Sequence, residues 1–386
     1  MTALNLHFTE AEFAERRAKA AAMLKERGLD ALLMFRQESM YYLTGYDTFG
    51  YAFFQCMVLT ASGETALITR APDRRQAQFT STVEAIRVWV DGPDAEPANE
   101  LHKLLVDLGL FGKALGIEYD AYGLTGKRTH EIEAALTSFA KLEDASDLVS
   151  RLRLIKSDAE LAFVRRAAEL GDAAWDAGCA TTKAGAFEGD ILAAMQSAIF
   201  SGGGDYPANE FIIGSGPGAL MCRYYTGRRH LSEQDQLTLE FGGTYRHYHA
   251  CLMRTIAVGS APDRQRELWA AAEDALHACE AELKPGRTAG DVFAAHAKTF
   301  DDAGLSECRL NACGYSLGAT YAPIWMDWPM LYADNPVELA PGMVFFCHMI
   351  LFDDATGLAA TLGRTSIVTA TGAEILSKSS TDLVVV

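Results

Sequence analysis

An internal repeat constrains the fold of this chain more than any other feature. Residues 183–194 (KAGAFEGDILAA) match residues 284–295 (KPGRTAGDVFAA) at six of twelve positions, at an offset of 101 residues. Each copy follows a long Ala-rich helical pattern and precedes a β-rich stretch punctuated by Gly. Two unrelated capping turns would share fewer residues. The repeat therefore predicts a duplicated helix-plus-sheet unit, with a site expected in the cleft between its two pseudo-symmetric halves.

Capping-box spacings mark the start of two helical regions, at Thr9 to Glu12 and at Ser157 to Glu160. The second region predicts a long helix running to about Cys179, where the duplicated part begins. Between the two regions, strand patterns alternate with helical ones, and the strands are expected at 30–35, at 57–69 with a turn at Ser62-Gly63, and at 114–120. We therefore predict two domains: an α/β domain at 1–150 and a second domain at 151–386.

The charge and cysteine content exclude several classes of partner and compartment. Against 34 Lys and Arg there are 51 Asp and Glu, and the net charge of −17 disfavours nucleic acid and anionic membrane surfaces. The eight cysteines are scattered without a Cys-x-x-Cys pair, as expected for reduced thiols. No stretch resembles a signal peptide or a membrane span. We expect a cytoplasmic protein that binds neither nucleic acid nor membrane.

The densest group of polar residues lies at 239–255, in a strand-like stretch that Gly242-Gly243 are expected to break. Strand alternation would place His247 and His249 on one face and Tyr248 on the other. One face of this stretch is therefore a candidate site. Its polar members are Glu240, Tyr245, His247, Tyr248, His249 and Arg254.

Two further segments carry candidate site residues. At 311–328, Gly and Pro force an irregular path that bears Tyr315, Tyr321, Trp325 and Asp327. Aromatic rings around one carboxylate suit a small cationic or amidine-like ligand, through stacking and cation–π attraction. His348 lies in an apolar run, where an isolated histidine is more often a hydrogen-bonded core residue than a catalyst.

The order of motifs along the chain resembles the creatinase/prolidase/methionine-aminopeptidase superfamily. The resemblance implies an α+β protein in which a creatinase-type N-terminal α/β domain (1–150) precedes a pita-bread catalytic domain (151–386) of two pseudo-symmetric halves. That fold would account for the internal repeat. The motifs are IKSDAEL, GSGPGA, LEFGG-x-Y, RT, GYSLG, LAPGM and VTATGAEIL.

The resemblance also indicates where metal ligands would stand. The metallopeptidases of the superfamily hold two metals through two Asp, one His and two Glu. The matching positions here are Glu240, Cys251, Tyr315, His348 and Gly363. Because one carboxylate cannot hold two divalent cations close together, we expect no metal and no cofactor. A single metal held by Glu240, Cys251 and either His249 or His348 is left open.

Within the superfamily, the chain is most similar to creatinase and to ectoine hydrolases. The likeness to ectoine hydrolases lies at 45–55, at 116–125, in the run from Glu240 to His249, at 314–318 and at 321–325. It implies a metal-independent hydrolase of a non-peptide C–N bond, an amide or an amidine, in a small polar compound.

The same resemblance suggests roles for individual residues. Glu240 would be the nucleophile or base, His249 and His348 would carry protons, and Tyr315 would donate a hydrogen bond. Arg223 replaces the family's usual histidine after the GSGPGA loop and would bind a substrate carboxylate. The other expected substrate contacts are Tyr245, Tyr321, Trp325, Asp327 and Phe49.

Several alternatives stay open at this point. Glu240 could be a structural partner of Arg254, and Arg223 could pair with Glu240 or Asp327. The protein could be an inactive pita-bread binding module, a Xaa-Pro peptidase-like enzyme or a dimethylsulfoniopropionate-lyase-like enzyme with an atypical metal site.

We also expect a homodimer. Creatinase-like relatives close their active site with the neighbouring subunit's N-terminal domain, and several aromatic residues here have no obvious role within one subunit. The segment concerned is expected at or near the partner's cleft, with core packing as the alternative for Tyr51 and Phe53. The residues are Tyr46, Phe49, Tyr51, Phe53 and Trp89.

Overall fold

The computed structural model describes residues 4–223 and 227–386. The chain divides into two compact units, Met1–Arg153 and Leu154–Val386. Within the described residues, no helix combines the length and the apolar character that crossing a membrane would need.

The first unit is a six-stranded sheet covered by helices on both faces. Its strand order is β4-β3-β2-β1-β5-β6, with β2 antiparallel to both of its neighbours, β1 and β3, and the other pairs parallel. The strands are β1 (Ala31–Met34), β2 (Cys56–Thr60), β3 (Thr65–Arg70), β4 (Ala85–Trp89), β5 (Ala114–Ile117) and β6 (Lys141–Asp144). The helices are α1 (Glu10–Glu26), α2 (Gln37–Thr44), α3 (Arg74–Thr80), α4 (Pro97–Asp107), α5 (Gly126–Leu136) and α6 (Leu148–Leu154), the last of which runs into the second unit.

Burial on both faces explains why the central strands β1, β2 and β5 are almost wholly apolar. Leu33 packs in one hydrophobic cluster with residues of α4 and α5, whereas Leu32 and Met34 pack in the other with residues of α1. The predicted N-cap is confirmed, since Thr9 accepts the backbone N–H of Glu12 through its side chain. The predicted strands are confirmed as well.

The described part of the second unit forms a nine-stranded sheet with long helices packed on one face. The main strand order is β11-β10-β12-β13-β9-β8-β7, and β14 and β15 pair with β13 and β9. The helices are α7 (Asp158–Thr181), α8 (Glu188–Ser201), α9 (Asp263–Glu282) and α10 (Ala289–Asp302). The strands are β7 (Ile212–Ser215), β8 (Asp235–Tyr245), β9 (Tyr248–Val258), β10 (Ala312–Ser316), β11 (Asp327–Tyr332), β12 (Val344–Asp353), β13 (Leu358–Val368), β14 (Ala373–Ile375) and β15 (Val384–Val385).

The predicted duplication is confirmed by the topology. The order β10-β12-β13 on one side of the sheet mirrors β7-β8-β9 on the other, and β13 and β9 meet in the middle. Helices α8 and α10 begin 101 residues apart, at Glu188 and Ala289, which is the offset of the sequence repeat. The residue before each helix forms an isolated bridge, Phe187 with His230 and Thr288 with Glu338. The two halves therefore share one helix-plus-sheet plan.

A close contact between α7 and β8 shows which face of the duplicated sheet the helix covers. A Cβ at Gly243 would lie 1.9 Å from the carbonyl oxygen of Ala167, so only glycine lets α7 approach β8 this closely. Residues of β8 that alternate with Gly243, including Glu240, therefore face away from α7. This side of the sheet, which faces away from α7, is called the cleft face below.

The 239–255 segment differs from its prediction. Gly242-Gly243 lie inside β8 and do not break it, and the chain instead reverses between β8 and β9 at Arg246 and His247. Both turn residues have positive φ, 52° and 65°, in the left-handed conformation that a tight hairpin turn requires. The segment is thus a hairpin, and His247 does not share a strand with His249.

Candidate active site

Strand pairing brings the family's metal-ligand positions to the cleft face. In the β8–β9 pair, Gly242 lies opposite Cys251, so Glu240 and Cys251 share a face. This pairing places the first two positions side by side on the first half of the sheet.

The remaining three positions lie on the second half. Gly363 pairs with His348 and also with Met253, which is two residues from Cys251. Tyr315 pairs with Phe346, which is two residues from His348. All five positions therefore face the cleft, and residues from both halves of the duplication meet there.

A chain of buried hydrogen bonds crosses this site. The Tyr315 hydroxyl donates to Oε1 of Glu240 at 3.1 Å, and the indole N–H of Trp325 donates to the same hydroxyl at 2.8 Å. Trp325, Tyr315 and Glu240 are 2%, 3% and 6% exposed. Trp325 was predicted to contact substrate. In the structure its indole N–H is used in a hydrogen bond to Tyr315.

Glu240 is the carboxylate of the site, and its surroundings favour a proton. Burial raises the pKa of Glu240 to about 7, against the opposing effects of the Tyr315 hydrogen bond and the Arg223 charge. A carboxyl group with this pKa can both accept and release a proton near neutral pH.

The alternative that Glu240 is a structural partner of Arg254 is wrong. Leu239 lies opposite Arg254 in the β8–β9 pair, so Arg254 points to the helix-covered face and Glu240 to the cleft face. The Arg254 guanidinium donates instead to the carbonyl groups of Met253 and Gly363, and lies 5.9 Å from the Trp175 ring.

His348 joins Tyr315 and Glu240 on the cleft face. Its ring centroid lies 5.5 Å from that of Tyr315 and 5.5 Å from that of Phe346. Among the described residues its buried Nδ1 atom has no hydrogen-bond partner. Burial lowers the pKa of His348 to about 4, so the imidazole is neutral near pH 7. A neutral imidazole has one N–H and one accepting nitrogen, so His348 can donate or accept a hydrogen bond on the cleft face.

His249 does not fit the predicted role of proton carrier. It is fully buried; Nε2 accepts the backbone N–H of Ala208 at 2.9 Å, and Nδ1 lies 3.2 Å from the Thr320 hydroxyl. Burial lowers the pKa of His249 to about 3, which keeps the ring neutral. The ring thus ties the loop after β10 to the segment before β7, and its accepting nitrogen is already occupied.

Three residues predicted to contact substrate pack against or hydrogen-bond to other parts of the protein. They are Tyr245, Tyr321 and Asp327. Tyr245 is on the helix-covered face, where its ring packs edge-on against Phe163 of α7 at 5.6 Å, so that prediction is wrong. Tyr321 is buried and stacks on His247 at 4.2 Å. Asp327 is half-buried and accepts the backbone N–H of Trp328 at 2.9 Å.

Arg223 is exposed on the loop that follows the GSGPGA turn. Its guanidinium donates to the carbonyl of Cys222 at 3.2 Å, and its charge acts on both Glu240 and His348. The positive charge of Arg223 therefore influences the protonation of both Glu240 and His348 on the cleft face.

Sequence reasoning missed Glu188, which holds this loop in place. Glu188 is fully buried at the start of α8; Oε1 accepts the N–H of Ser215, and Oε2 accepts those of Arg228 and Arg229, at 2.7, 2.9 and 3.1 Å. One carboxylate thus joins both ends of the segment that carries Arg223. The repeat contained a signal for this residue: Glu188 is charged, whereas the equivalent residue of the second copy is Ala289.

The residues at the family's ligand positions do not fit a dinuclear metal centre. They supply one carboxylate, one thiol, one phenol and one imidazole, and burial raises the pKa of the Cys251 thiol well above its usual value. At Gly363, a Cβ would lie 2.9 Å from Cε2 of Phe346 and 2.8 Å from the carbonyl of Cys347. Across the described ranges, 4–223 and 227–386, no group of three or more His, Cys, Asp and Glu is arranged to hold a metal ion.

The aromatic segment of the first unit is partly core and partly surface. Tyr46 is fully buried, and the Trp89 indole N–H donates to the carbonyl of Phe54, so these two have roles within the unit. Phe49 is 72% exposed and Phe53 is 41% exposed, while Tyr51 is half-buried.

Comparison with known proteins agrees with the two-part organisation. The model of the creatinase/prolidase N-terminal domain matches residues 16–155, and that of metallopeptidase family M24 matches residues 162–370. The solved structure of dipeptidase PepE from Mycobacterium ulcerans superposes with a TM-score of 0.84 at 27% identity, over 98% of this chain and 99% of that chain.

Two curated relatives match along almost the whole chain and differ in activity. Ectoine hydrolase of Halomonas elongata is 26% identical over 394 residues, covering 98% of each protein. The Xaa-Pro dipeptidase of Pyrococcus furiosus is 22% identical over 370 residues, covering 96% of this chain and 99% of the relative. Because the family model covers more than half of the chain, this protein belongs to metallopeptidase family M24 and is a two-domain hydrolase with a creatinase/prolidase N-terminal domain.

Proposed function

We propose that the protein hydrolyses a non-peptide C–N bond, an amide or an amidine, in a small compound that carries a carboxylate, and that it does so without a metal. The observation that carries the proposal is the hydrogen-bonded Glu240 on the cleft face, where metallopeptidases of this family would need acidic ligands. The similarity to an ectoine hydrolase supports a small cyclic amidine among the candidate substrates.

Glu240 would either activate a water molecule or attack the carbon of the C–N bond directly. Ionised Glu240 either takes a proton from a water molecule that attacks the C–N carbon, or attacks that carbon itself to form an acyl intermediate that water later cleaves. In the first route, the C–N bond then breaks and the leaving nitrogen takes the proton that Glu240 has gained. In the second route, the C–N bond breaks as the acyl intermediate forms, the leaving nitrogen takes a proton from a water molecule, and the remaining hydroxide cleaves the intermediate and restores ionised Glu240. Neutral His348 can accept the second proton of the attacking water, and Tyr315 holds Glu240 in place.

Substrate tests separate this proposal from peptidase activity. The purified protein would be offered an ectoine-type cyclic amidine, an acyclic amidino acid and a Xaa-Pro dipeptide, with product formation followed by proton NMR. We expect turnover within the first two classes. Cleavage of the dipeptide alone would favour the activity of the Xaa-Pro dipeptidase relative.

Metal analysis gives the first prediction. Because one acidic residue stands at the five ligand positions, we expect well under one equivalent of zinc, iron or manganese per chain and no effect of chelators on turnover. Elemental analysis and assays with and without a chelator measure both. Stoichiometric metal that is lost together with activity would contradict the proposal.

Arg223 gives a second prediction, on substrate binding. Arg223→Met should weaken apparent substrate affinity by about 2–3 kcal/mol, roughly 30- to 150-fold, because a substrate carboxylate loses its charged hydrogen-bond partner. Arg228→Met is the matched control, since Arg228 is exposed on the same loop. Equal KM values for the two variants would remove Arg223 from substrate binding.

The exposed aromatic residues give a third prediction, on assembly. We propose a homodimer in which the segment containing Phe49 and Phe53 lies at the partner's cleft, since exposed aromatic side chains favour a protein interface. Light scattering should give about twice the chain mass of 41.9 kDa. Phe49→Ser with Phe53→Ser should shift the equilibrium toward monomer, and a wild-type monomer would refute the proposal.

A further inference from the structure

We infer that Trp325 is a positioning residue that determines which oxygen of Glu240 reacts, and that the reacting atom is Oε2. The reactivity of Oε2 rests on the proposed function. The hydrogen bonds among Trp325, Tyr315 and Glu240 are independent of that proposal.

The direction of the hydrogen bonds carries the inference. An indole nitrogen can only donate, so the bond between Trp325 and Tyr315 uses a lone pair of the tyrosine oxygen. The hydroxyl has one proton, and the carboxylate oxygen Oε1 of Glu240 can receive it at 3.1 Å. Because Trp325 occupies one side of the tyrosine oxygen with a proton, the tyrosine proton has to point toward Glu240.

This orientation distinguishes the two oxygens of Glu240. Oε1 is held as an acceptor, since a proton placed on it would meet the proton of the Tyr315 hydroxyl. When Glu240 gains a proton, the proton therefore resides on Oε2. Burial raises the pKa of Tyr315 well above its usual value, so the phenol keeps its proton throughout the working range. Oε2 is thus the oxygen available to attack carbon or to accept a proton from water.

Other groups around Glu240 do not replace this effect. The Glu240 charge acts on the thiols of Cys251 on β9 and Cys222 on the loop, and the Arg223 charge acts on Glu240 from the same loop. His348 faces the Tyr315 ring from β12. Among the described residues, Tyr315 is the group that donates a hydrogen bond to the Glu240 carboxylate.

Infrared spectroscopy can test the inference without any substrate. The protonated carboxyl band that Glu240→Gln removes would be followed as a function of pH in wild type, Trp325→Phe and Tyr315→Phe. Loss of the indole N–H weakens donation by the tyrosine, and loss of the hydroxyl removes it, so the Glu240 midpoint should move upward in Trp325→Phe and further in Tyr315→Phe. Once a substrate is known, the acid limb of the kcat/KM profile should move in the same order.

Trp269→Phe is the matched control. The Trp269 indole N–H donates to the carbonyl of Thr381 at 3.0 Å, so this variant loses an equivalent hydrogen bond that does not involve Glu240. Its carboxyl midpoint should equal that of wild type. An unchanged midpoint in Trp325→Phe, or the same change in Trp269→Phe, would overturn the inference. A shifted midpoint together with an active Glu240→Gln variant would leave the hydrogen-bond arrangement standing and overturn the proposed function instead.

Discussion

Replacing Glu240 by glutamine is expected to lower turnover by a factor of about 100 or more, the usual contribution of a general acid–base group. Glutamine has nearly the same shape and can still accept the Tyr315 hydroxyl through its amide oxygen. Fold and ligand binding should therefore be largely retained. Steady-state kinetics, circular dichroism and a binding measurement would be compared between the variant and wild type.

The same variant should change how stability depends on pH. The folded-state pKa of Glu240, about 7, is raised above the value of 4.5 for an unperturbed carboxyl group. Between these values the folded state binds more protons than the unfolded state, so this group makes the protein less stable as pH rises through that window. Glu240→Gln should remove this part of the decline, as measured by denaturant unfolding at several pH values.

Two further variants define what would contradict the role of Glu240. Glu210→Gln changes an exposed carboxylate of the same unit and should leave turnover unchanged. If Glu240→Gln keeps a near wild-type rate while His348→Ala alone is inactive, the base is His348. The unsatisfied Nδ1 of His348 makes it the competing candidate.

Replacing Glu188 by alanine is expected to have the largest effect on stability. The change leaves the buried N–H of Ser215 without an acceptor, at roughly 1–3 kcal/mol, and also removes the acceptor of the part-buried N–H groups of Arg228 and Arg229. The segment that carries Arg223 loses the carboxylate that joins its ends, so KM should also rise. Denaturant unfolding, and the rate of tryptic cleavage after Arg228 and Arg229, would measure the two effects.

Asp190→Ala is the control for this prediction. Asp190 lies in the same first turn of α8 and is exposed, so the control also removes one negative charge near a helix N-terminus. It should lower the free energy of unfolding by well under the Glu188→Ala value. Equal losses for the two variants would show that helix charge, and not the loop contact, explains the effect of Glu188.

The duplicated architecture could be predicted because its signal is local. Gly185 and Gly286 have positive φ in the turns before α8 and α10, and Asp291 completes a capping box at the start of α10; these requirements depend on a few consecutive residues. The strand pairings then place the family's ligand positions on one face, as the motif order implied. These parts of the fold follow from short-range chemistry and strand alternation.

The errors at the site come from long-range geometry. In a continuous strand Glu240 and Arg254 would share a face, because they are separated by an even number of residues. The turn at Arg246 and His247 places Arg254 opposite Leu239 instead, which reverses its face. The bond from Ala208 that occupies His249 joins residues 41 positions apart, and no sequence pattern marks it.

The contact between Phe346 and Gly363 makes an acidic residue difficult to introduce at position 363. An acidic residue at position 363 would have to displace both the Phe346 ring and the Cys347 carbonyl. A smaller residue introduced first at position 346 would leave a void beside Tyr315 and would itself be destabilising. An acidic residue at position 363 is thus reached only through a less stable intermediate. Substitutions around Glu240 are expected to be tolerated more readily than the carboxylate set of a metallopeptidase.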